Sequence, residues 1–509
     1  MKQILILSCS ALAFSVVAAH AGDGNASSLS QVNLGGAGNT GTITQTGSYN
    51  NSIVQQTNTA GGGNTATVMQ RGDYNHAGTG SLSASMNGHM EQDGANNVLD
   101  IWQDDNQLVS RVMQSGDQNT ANIEQRANGA PSDRNPDHRV WRVRQTGQAG
   151  AAGAQNDLSI EQRGDTNVVH RVIQRNTSAT GDVNTATITQ RGSYNGANIN
   201  GVPPDGPSHG ARLTQVGSGN DTSADQRGER NNFWLESRGD GNRVVLLQDA
   251  ASNESYTKSV IEGNMNDAEY RQTGDMQDID VALNGGSNFM IRARQSGSSN
   301  TVDYVGVGND GKVSIHQIGV SNAFSGHSWG EQQYIAVKQS GDGNGVFIDG
   351  LNGPNVNKFY VLQTTSDNSV DVGVVNGSYN RLQFIQKGGN SNEIGFGDVY
   401  GDENKIFLTQ NGSDNLITGN IGAMGDPSTS NDNRIQVAQI GDENVAGVSI
   451  TGNGNRAQVG QKGNFNLADV SQNGNNNTAN IMQGAANVTL PGVVTDSSIP
   501  FATLNGTNW

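Results

Sequence analysis

The chain has a single cysteine, Cys9, and that residue lies in the apolar run that follows Met1-Lys2. Once this run is removed as a leader no thiol remains, which excludes disulfides and thiolate-held metal. Proline is scarce at 9 residues, aromatic residues make up 5% and all hydrophobic residues only 33%. A 509-residue chain of that composition cannot fill a conventional Leu/Phe core. Charged residues are also few, at 15%, too few for the charge-driven disorder that low hydrophobicity would otherwise suggest. The charge that is present is acidic, formally −17. An acidic surface argues against nucleic acid as a partner, because binding it needs basic groups that displace counterions. It also disfavours simple attraction to anionic membranes. The eight histidines are scattered without an H-x-x-x-H spacing. There is no G-x-S-x-G, no Walker loop and no pair of catalytic carboxylates, and Gly388–Asp398 lacks the G-x-G-x-D spacing of a calcium roll. The sequence therefore implies no enzyme, no cofactor and no metal site.

What the chain does have is glycine, 69 residues of it, and a period. Residues 1–21 read as a cleaved secretory signal: a basic start, the run "ILILSCSALAFSVVAA", then Ala19-His20-Ala21. No apolar span follows it, so the mature chain is expected to carry no transmembrane segment. Residues 22–38 form a Gly-rich lead-in, and residues 39–487 repeat. The repeat is clearest near its end, where Gly441, Gly452, Gly463 and Gly474 recur every eleven residues. The same register holds for Asn444, Asn455, Asn466 and Asn477; for Ala446, Ala457, Ala468 and Ala479; and for Val448, Val459, Val470 and Ile481. Gln461, Gln472 and Gln483 close the units, with Ile450 the one departure, and Gln92, Gln103, Gln114 and Gln125 keep the same step earlier in the chain. Elsewhere neighbours lie 22 apart, as in Gln295, Gln317 and Gln339, so the structural period is read as 22, built from two similar halves.

In N-x-A-x-I-x-Q the named residues alternate, placing Asn119, Ala121, Ile123 and Gln125 on one strand face and Thr120, Asn122 and Glu124 on the other. An odd period would flip the buried face at each repeat, and the G-x-x step between Gln and Asn resets it as a turn. The expected fold is all-β: a β-solenoid of about 22-residue coils, each of two strand-turn units. Coils stack about 4.8 Å apart, so each residue type meets its own kind above and below. A buried amide left unpaired costs roughly 1–3 kcal/mol. In a stack it pairs with the identical amide of the next coil, which is why the units must stay alike. Segments 128–138, 200–210, 325–333 and 422–432 break the period and read as loops leaving the turns; residues 488–509 form a non-repetitive tail. Arg71, Arg163, Arg191, Arg227, Lys387 and Lys462 follow ladder glutamines, and Asp73, Asp117, Asp165, Asp342 and Asp442 follow turn glycines. As a set they read as gatekeepers against premature aggregation, and singly as solvated polar residues. Tyr49, Tyr74 and Tyr194 share one turn slot.

The consensus S/Q-x-G-x-x-N-x-A-x-I/V-x-Q resembles the curlin repeat of curli subunits over most of residues 31–483. That resemblance implies a secreted protein of the bacterial cell surface that self-assembles into amyloid fibres active in adhesion and biofilm matrix. It also implies an outer-membrane secretion pore and other curlin-type subunits as partners. The chain is several times longer than a typical curli subunit. The alternative is a capped β-solenoid that binds at the surface without polymerising. A solenoid enzyme would need acids clustered on one outward face of consecutive coils.

Overall fold

The computed structural model describes residues 14–19 and 23–484 apart from short internal segments, the longest being 79–87, 128–137, 196–210, 351–357 and 423–431. Among the described residues every regular element is a strand. The chain divides into an N-terminal unit, Met1–Met265 with Arg271–Met276, and a C-terminal unit, Asn266–Tyr270 with Gln277–Trp509.

In the N-terminal unit each coil contributes one strand to each of two parallel sheets. Val98–Asp104, Asn119–Ala127, Asn156–Asp165 and Asn184–Ser193 are consecutive strands of the first sheet. Gln107–Ser115, His138–Thr146, Val168–Asn176 and Ala211–Gly217 are consecutive strands of the second. Register follows residue type. Ile101, Ile123, Ile160 and Ile188 stack in the first sheet, and Val112, Val143, Val172 and Leu213 in the second. These residues lie between the sheets and are buried to within 2% of complete. Gln92 and Gln114 fall in the second sheet and Gln103 and Gln125 in the first, so the eleven-residue step alternates between faces and the coil is the double unit.

The repeat starts within the stretch read as a lead-in. Ala26–Asn33 is a strand paired with Asn51–Asn58, Gln31 facing Gln56. Its Ser/Leu/Ser/Gln alternation buries Leu29 and Gln31 as any later unit does. Phe14–Ala19, inside the expected leader, runs parallel to Thr40–Thr46 at the edge of the first sheet. The expected loops at 128–138, 200–210 and 422–432 fall almost wholly outside the described residues, as does the 488–509 tail. His138 is different: it is the first residue of the strand His138–Thr146.

The C-terminal unit ends regularly. Val445–Thr451 pairs with Leu467–Asn473, stacking Ala446 on Ala468 and Val448 on Val470. Arg456–Lys462 pairs with Thr478–Gln483, stacking Ala457 on Ala479, Val459 on Ile481 and Gln461 on Gln483. Between residues 290 and 394 the strands shrink to two to four residues. The interior there is aromatic, with Phe289, Tyr304, Phe324, Phe359, Phe384 and Phe407 all buried. The backbone gives way around these bulky groups, passing through positive φ at Val337 (83°) and Ile385 (137°), where a β-branched residue is strained.

The turns account for the glycine column. Gly441 has φ 113° and Gly452 φ 108°. A Cβ on Gly441 would lie 2.3 Å from the carbonyl oxygen of Gly463, and one on Gly452 2.1 Å from that of Gly474. Stacked turns approach too closely for any side chain at this position, so conformation and space both demand glycine.

Candidate functional site

The side chains that recur are also the ones that hold coil to coil. In the N-terminal unit, Gln125 Nε2 donates to Gln162 Oε1 at 2.8 Å, and Gln162 Nε2 to Gln190 Oε1 at 2.8 Å. The second N–H of Gln162 goes to the Asn167 carbonyl at 2.9 Å. Every polar hydrogen and the acceptor oxygen are thus used inside a dry interior, which removes the burial cost of the amide. The second sheet repeats the arrangement through Gln92, Gln114, Gln145 and Gln174 at 2.8–2.9 Å. In the C-terminal unit the column runs from Gln295 to Gln317 and Gln339, and later from Gln439 through Gln461 to Gln483.

Asparagines form a second column of opposite polarity. Asn322 donates its backbone N–H and its Nδ2 to Asn300 Oδ1, each at 3.0 Å, and Nδ2 also reaches the Gly341 carbonyl of the next turn at 2.7 Å. Asn466 donates in the same way to Asn444 (3.1 and 2.7 Å), and Asn477 donates its backbone N–H to Asn455 at 2.9 Å. The donors of a glutamine column point toward the C-terminal end, and those of an asparagine column toward the N-terminal end.

Two members of one asparagine column have other side chains. Asn75 Oδ1 accepts from Gln107 N–H at 3.2 Å, Gln107 Oε1 from His138 N–H at 3.0 Å, and His138 Nδ1 from Asn167 N–H at 3.2 Å. The imidazole thus stands where an amide oxygen would. Its Nε2 lies 2.9 Å from the Arg126 carbonyl and carries the proton. Burial holds the His138 pKa down to about 4, against the raising effects of the Arg126 carbonyl and of Asp165. Protonated Nδ1 would meet an N–H with another N–H. The sequence places this residue at the end of an expected loop; only its position seven residues before the ladder residue Gln145, the same step as Asn167 to Gln174, could have signalled the column.

Turn acids carry a role that spacing alone did not show. Asp117 Oδ1 accepts the Ala95 N–H at 2.7 Å, Asp342 that of Val320 at 2.8 Å and Asp442 that of Ser413 at 2.8 Å. Asn464 and Asn475 do the same in the last turns (2.9 and 2.8 Å). Each ties its own turn to the turn of the preceding coil. Arg163 and Arg191 instead lie on the outward face of the first sheet, beside Glu124 and Glu161. Tyr49 and Tyr74 stack in consecutive turns, ring centres 5.0 Å apart and planes nearly parallel; Tyr194 lies outside the described residues.

At the end of the described chain the ladder is open. Asn477, Ala479, Ile481 and Gln483 are only half-buried, whereas Ala457, Val459 and Gln461 one coil earlier are fully covered. Phe465 and Leu467 are 72% and 68% exposed. At the other end, Gln31 Oε1 is buried with no hydrogen-bond partner among the described residues. Gln472, on the strand Leu467–Asn473, stands against Ile450, which cannot pair with it, and its Oε1 is also unpartnered among the described residues.

The fold and its ladders define a parallel β-solenoid whose coils are joined by repeated buried amides. The curlin associated repeat family matches residues 431–463 and 459–484, so this part of the chain is built of curlin repeats. Glutamine columns with the same bonds occur outside the matched residues in both units. No curated protein matches the chain. Among the described residues no helix is long and apolar enough to cross a membrane, and no cluster of metal-ligating side chains occurs.

Proposed function

We propose that this protein is a structural subunit of curli-like extracellular fibres, secreted to the bacterial surface and adding to its own kind by coil-on-coil templating. The observation that carries this reading is the last described coil of curlin repeats, which no described residue covers. Its half-covered Ala479, Ile481 and Gln483 repeat the pattern that the preceding coil satisfies by stacking. An unpaired strand edge with matching side chains is a template for another strand. Column polarity supports head-to-tail growth. Gln483 Oε1 accepts from Gln461 and its Nε2 donates to the Leu467 carbonyl, so its column ends on the donor group, while Gln31 begins another column with an acceptor that is unpartnered among the described residues. Such an interface is heterologous and does not close on itself, which yields a filament. Adhesion and a matrix role follow from a fibre exposed at the cell surface.

The test is assembly of residues 22–509 diluted from denaturant at micromolar concentration, followed by thioflavin T and sedimentation. Fibres that appear after a lag, and without one when seeded, are expected. A β-rich chain that stays monomeric for days overturns the reading in favour of a capped solenoid. Gly474→Ala adds a discriminating arm. Among the described residues a Cβ there meets nothing nearer than 3.6 Å, but it would strike the turn of an incoming coil, so the variant should fold and fail to elongate.

A further inference from the structure

The two outward faces of the N-terminal unit carry arginines in different company. On the first sheet, Arg126, Arg163, Arg191 and Arg227 form one row. The row beside it holds Glu124, Glu161 and Asp225. Arg163 reaches Glu124 at 3.7 Å as well as Glu161, Arg191 reaches Glu161 at 3.6 Å, and Arg227 reaches Asp225 at 2.7 Å. Arg126 pairs with Glu124 and covers the Trp102 ring at 4.0 Å. Each of these four arginines has a carboxylate within ion-pair distance.

The second sheet stacks Arg111, Arg142, Arg171 and Arg212 on four consecutive strands. Arg144 stands beside Arg142, facing Met113 on one neighbouring strand and Ile173 on the other. Among the described residues only Arg111 has a carboxylate within ion-pair distance, Glu91 at 3.8 Å, and Arg212 lies over the Trp234 ring at 4.3 Å. Arg142 and Arg171 have no ion pair or hydrogen bond among the described residues, and the Nε atoms of all four are buried and unpartnered. Burial, then Arg171, Arg111 and Arg144, hold the Arg142 pKa below the usual arginine range. Like charges at one strand spacing, about 4.8 Å, repel and weaken the stack. In a chain of net charge −17, this row is a local concentration of unmatched positive charge.

We propose that this arginine column binds an acidic polysaccharide laid along the stacking direction, with successive carboxylates meeting successive guanidinium groups. A uronic-acid chain carries one carboxylate per sugar, a linear array that suits one arginine per coil. The planar guanidinium takes a carboxylate through two parallel N–H bonds. Trp141, half-buried beside Arg142, and Trp234 at the end of the row offer indole faces to sugar rings. The acidic remainder of the chain repels a nucleic acid and a uronic-acid chain alike, so the choice rests on one carboxylate per sugar meeting one arginine per coil, and the oligonucleotide below tests it. Assembly is not required, so the proposal stands or falls apart from the fibre reading.

The experiment is titration of the monomeric full chain at low salt with polygalacturonate, neutral dextran and a single-stranded oligonucleotide, read by tryptophan fluorescence. Polygalacturonate should bind and weaken as salt rises, and dextran should not bind. Arg142→Gln with Arg171→Gln should cost about tenfold or more in affinity, while Arg163→Gln with Arg191→Gln on the other face should change it less than about twofold. Where the glutamine pair disturbs the far-UV spectrum, Arg142→Lys with Arg171→Lys keeps charge and stem and should still lose several-fold. No binding to polygalacturonate, equal losses from the two faces, or unchanged affinity in the lysine pair overturns the assignment. An oligonucleotide bound as tightly through the same arginines overturns the choice of polysaccharide.

Discussion

The N-terminal and C-terminal units fill the same kind of thin interior by different means. Among the described residues of the N-terminal unit, Phe233 is the one fully buried aromatic side chain, and the space is taken by Ala, Val, Ile and Leu between paired amides. In the C-terminal unit Phe289, Tyr304, Phe359, Phe384 and Phe407 occupy the interior over 289–407, where regular strands nearly vanish. The glutamine column persists there through Gln317, Gln339, Gln363 and Gln386. One half of the coil therefore keeps strict repetition while the other exchanges it for bulk. An amide column depends on its neighbours being the same residue; an aromatic cluster depends only on volume. The comparison teaches where substitutions should hurt and where they should not.

The largest expected effect is in the aromatic region. Phe384, whose ring lies 5.3 Å from that of Phe359, leaves a cavity when changed to Ala, with a cost of about 3–5 kcal/mol in chemical denaturation. Next comes Gln162→Leu in the regular unit. It strands the donor of Gln125 and the acceptor of Gln190, roughly 1–3 kcal/mol for each, and a loss under about 1 kcal/mol would sink the inward-column assignment. Gly452→Ala should destabilise more than Gly474→Ala. Both have φ near 108° and share the strain, but only the first meets a carbonyl at 2.1 Å; equal thermal shifts would contradict the stacked-turn geometry.

A smaller effect depends on pH. His138 is neutral in the fold with a pKa of about 4, against 6.5 when unfolded. The unfolded chain gains a proton first, so stability is fully present above pH 6.5 and is lost as pH falls toward 4. His138→Asn should flatten that part of the thermal-stability profile while leaving pH 8 almost unchanged. Part of the slope will remain in the variant, because burial also holds His316 down to about 4. Smallest of all is Gln472→Leu, within about 0.5–1 kcal/mol of wild type, since Gln472 faces Ile450 and already has an unpartnered oxygen. A cost equal to that of Gln461→Leu would show that the Gln472 amide pairs with another amide, beyond its bond to the Arg456 carbonyl.

Much of this was legible in the sequence. The alternation in "NTANIEQ" and the turn chemistry around Gly441 and Gly452 lead to the strand, the coil and the buried columns. His138 was hidden because an imidazole and a carboxamide share no sequence symbol, although each can present one acceptor to the next backbone N–H. The arginine column was hidden by unequal spacing. Insertions put its members 29 to 41 residues apart, so no fixed period reveals them. Counted back from each ladder glutamine, however, "RVMQ", "RVRQ", "RVIQ" and "RLTQ" align at once, just as "EQR" and "DQR" mark the opposite face. The turn acids could be seen but not interpreted, since their partners belong to the preceding coil.

The opposed polarity of the two amide columns has an electrical consequence. A row of aligned amides is a row of aligned dipoles, and a long helix shows the result: partial charge builds at its ends. A glutamine column alone would do the same over its whole length. Here a coil that adds a glutamine dipole in one direction, as at Gln317, adds an asparagine dipole in the other, as at Asn322. The fields largely cancel, and the backbone bonds of the parallel sheets contribute little net moment. A stack built this way can lengthen without raising a voltage between its ends, so electrostatics sets no natural limit to the number of coils.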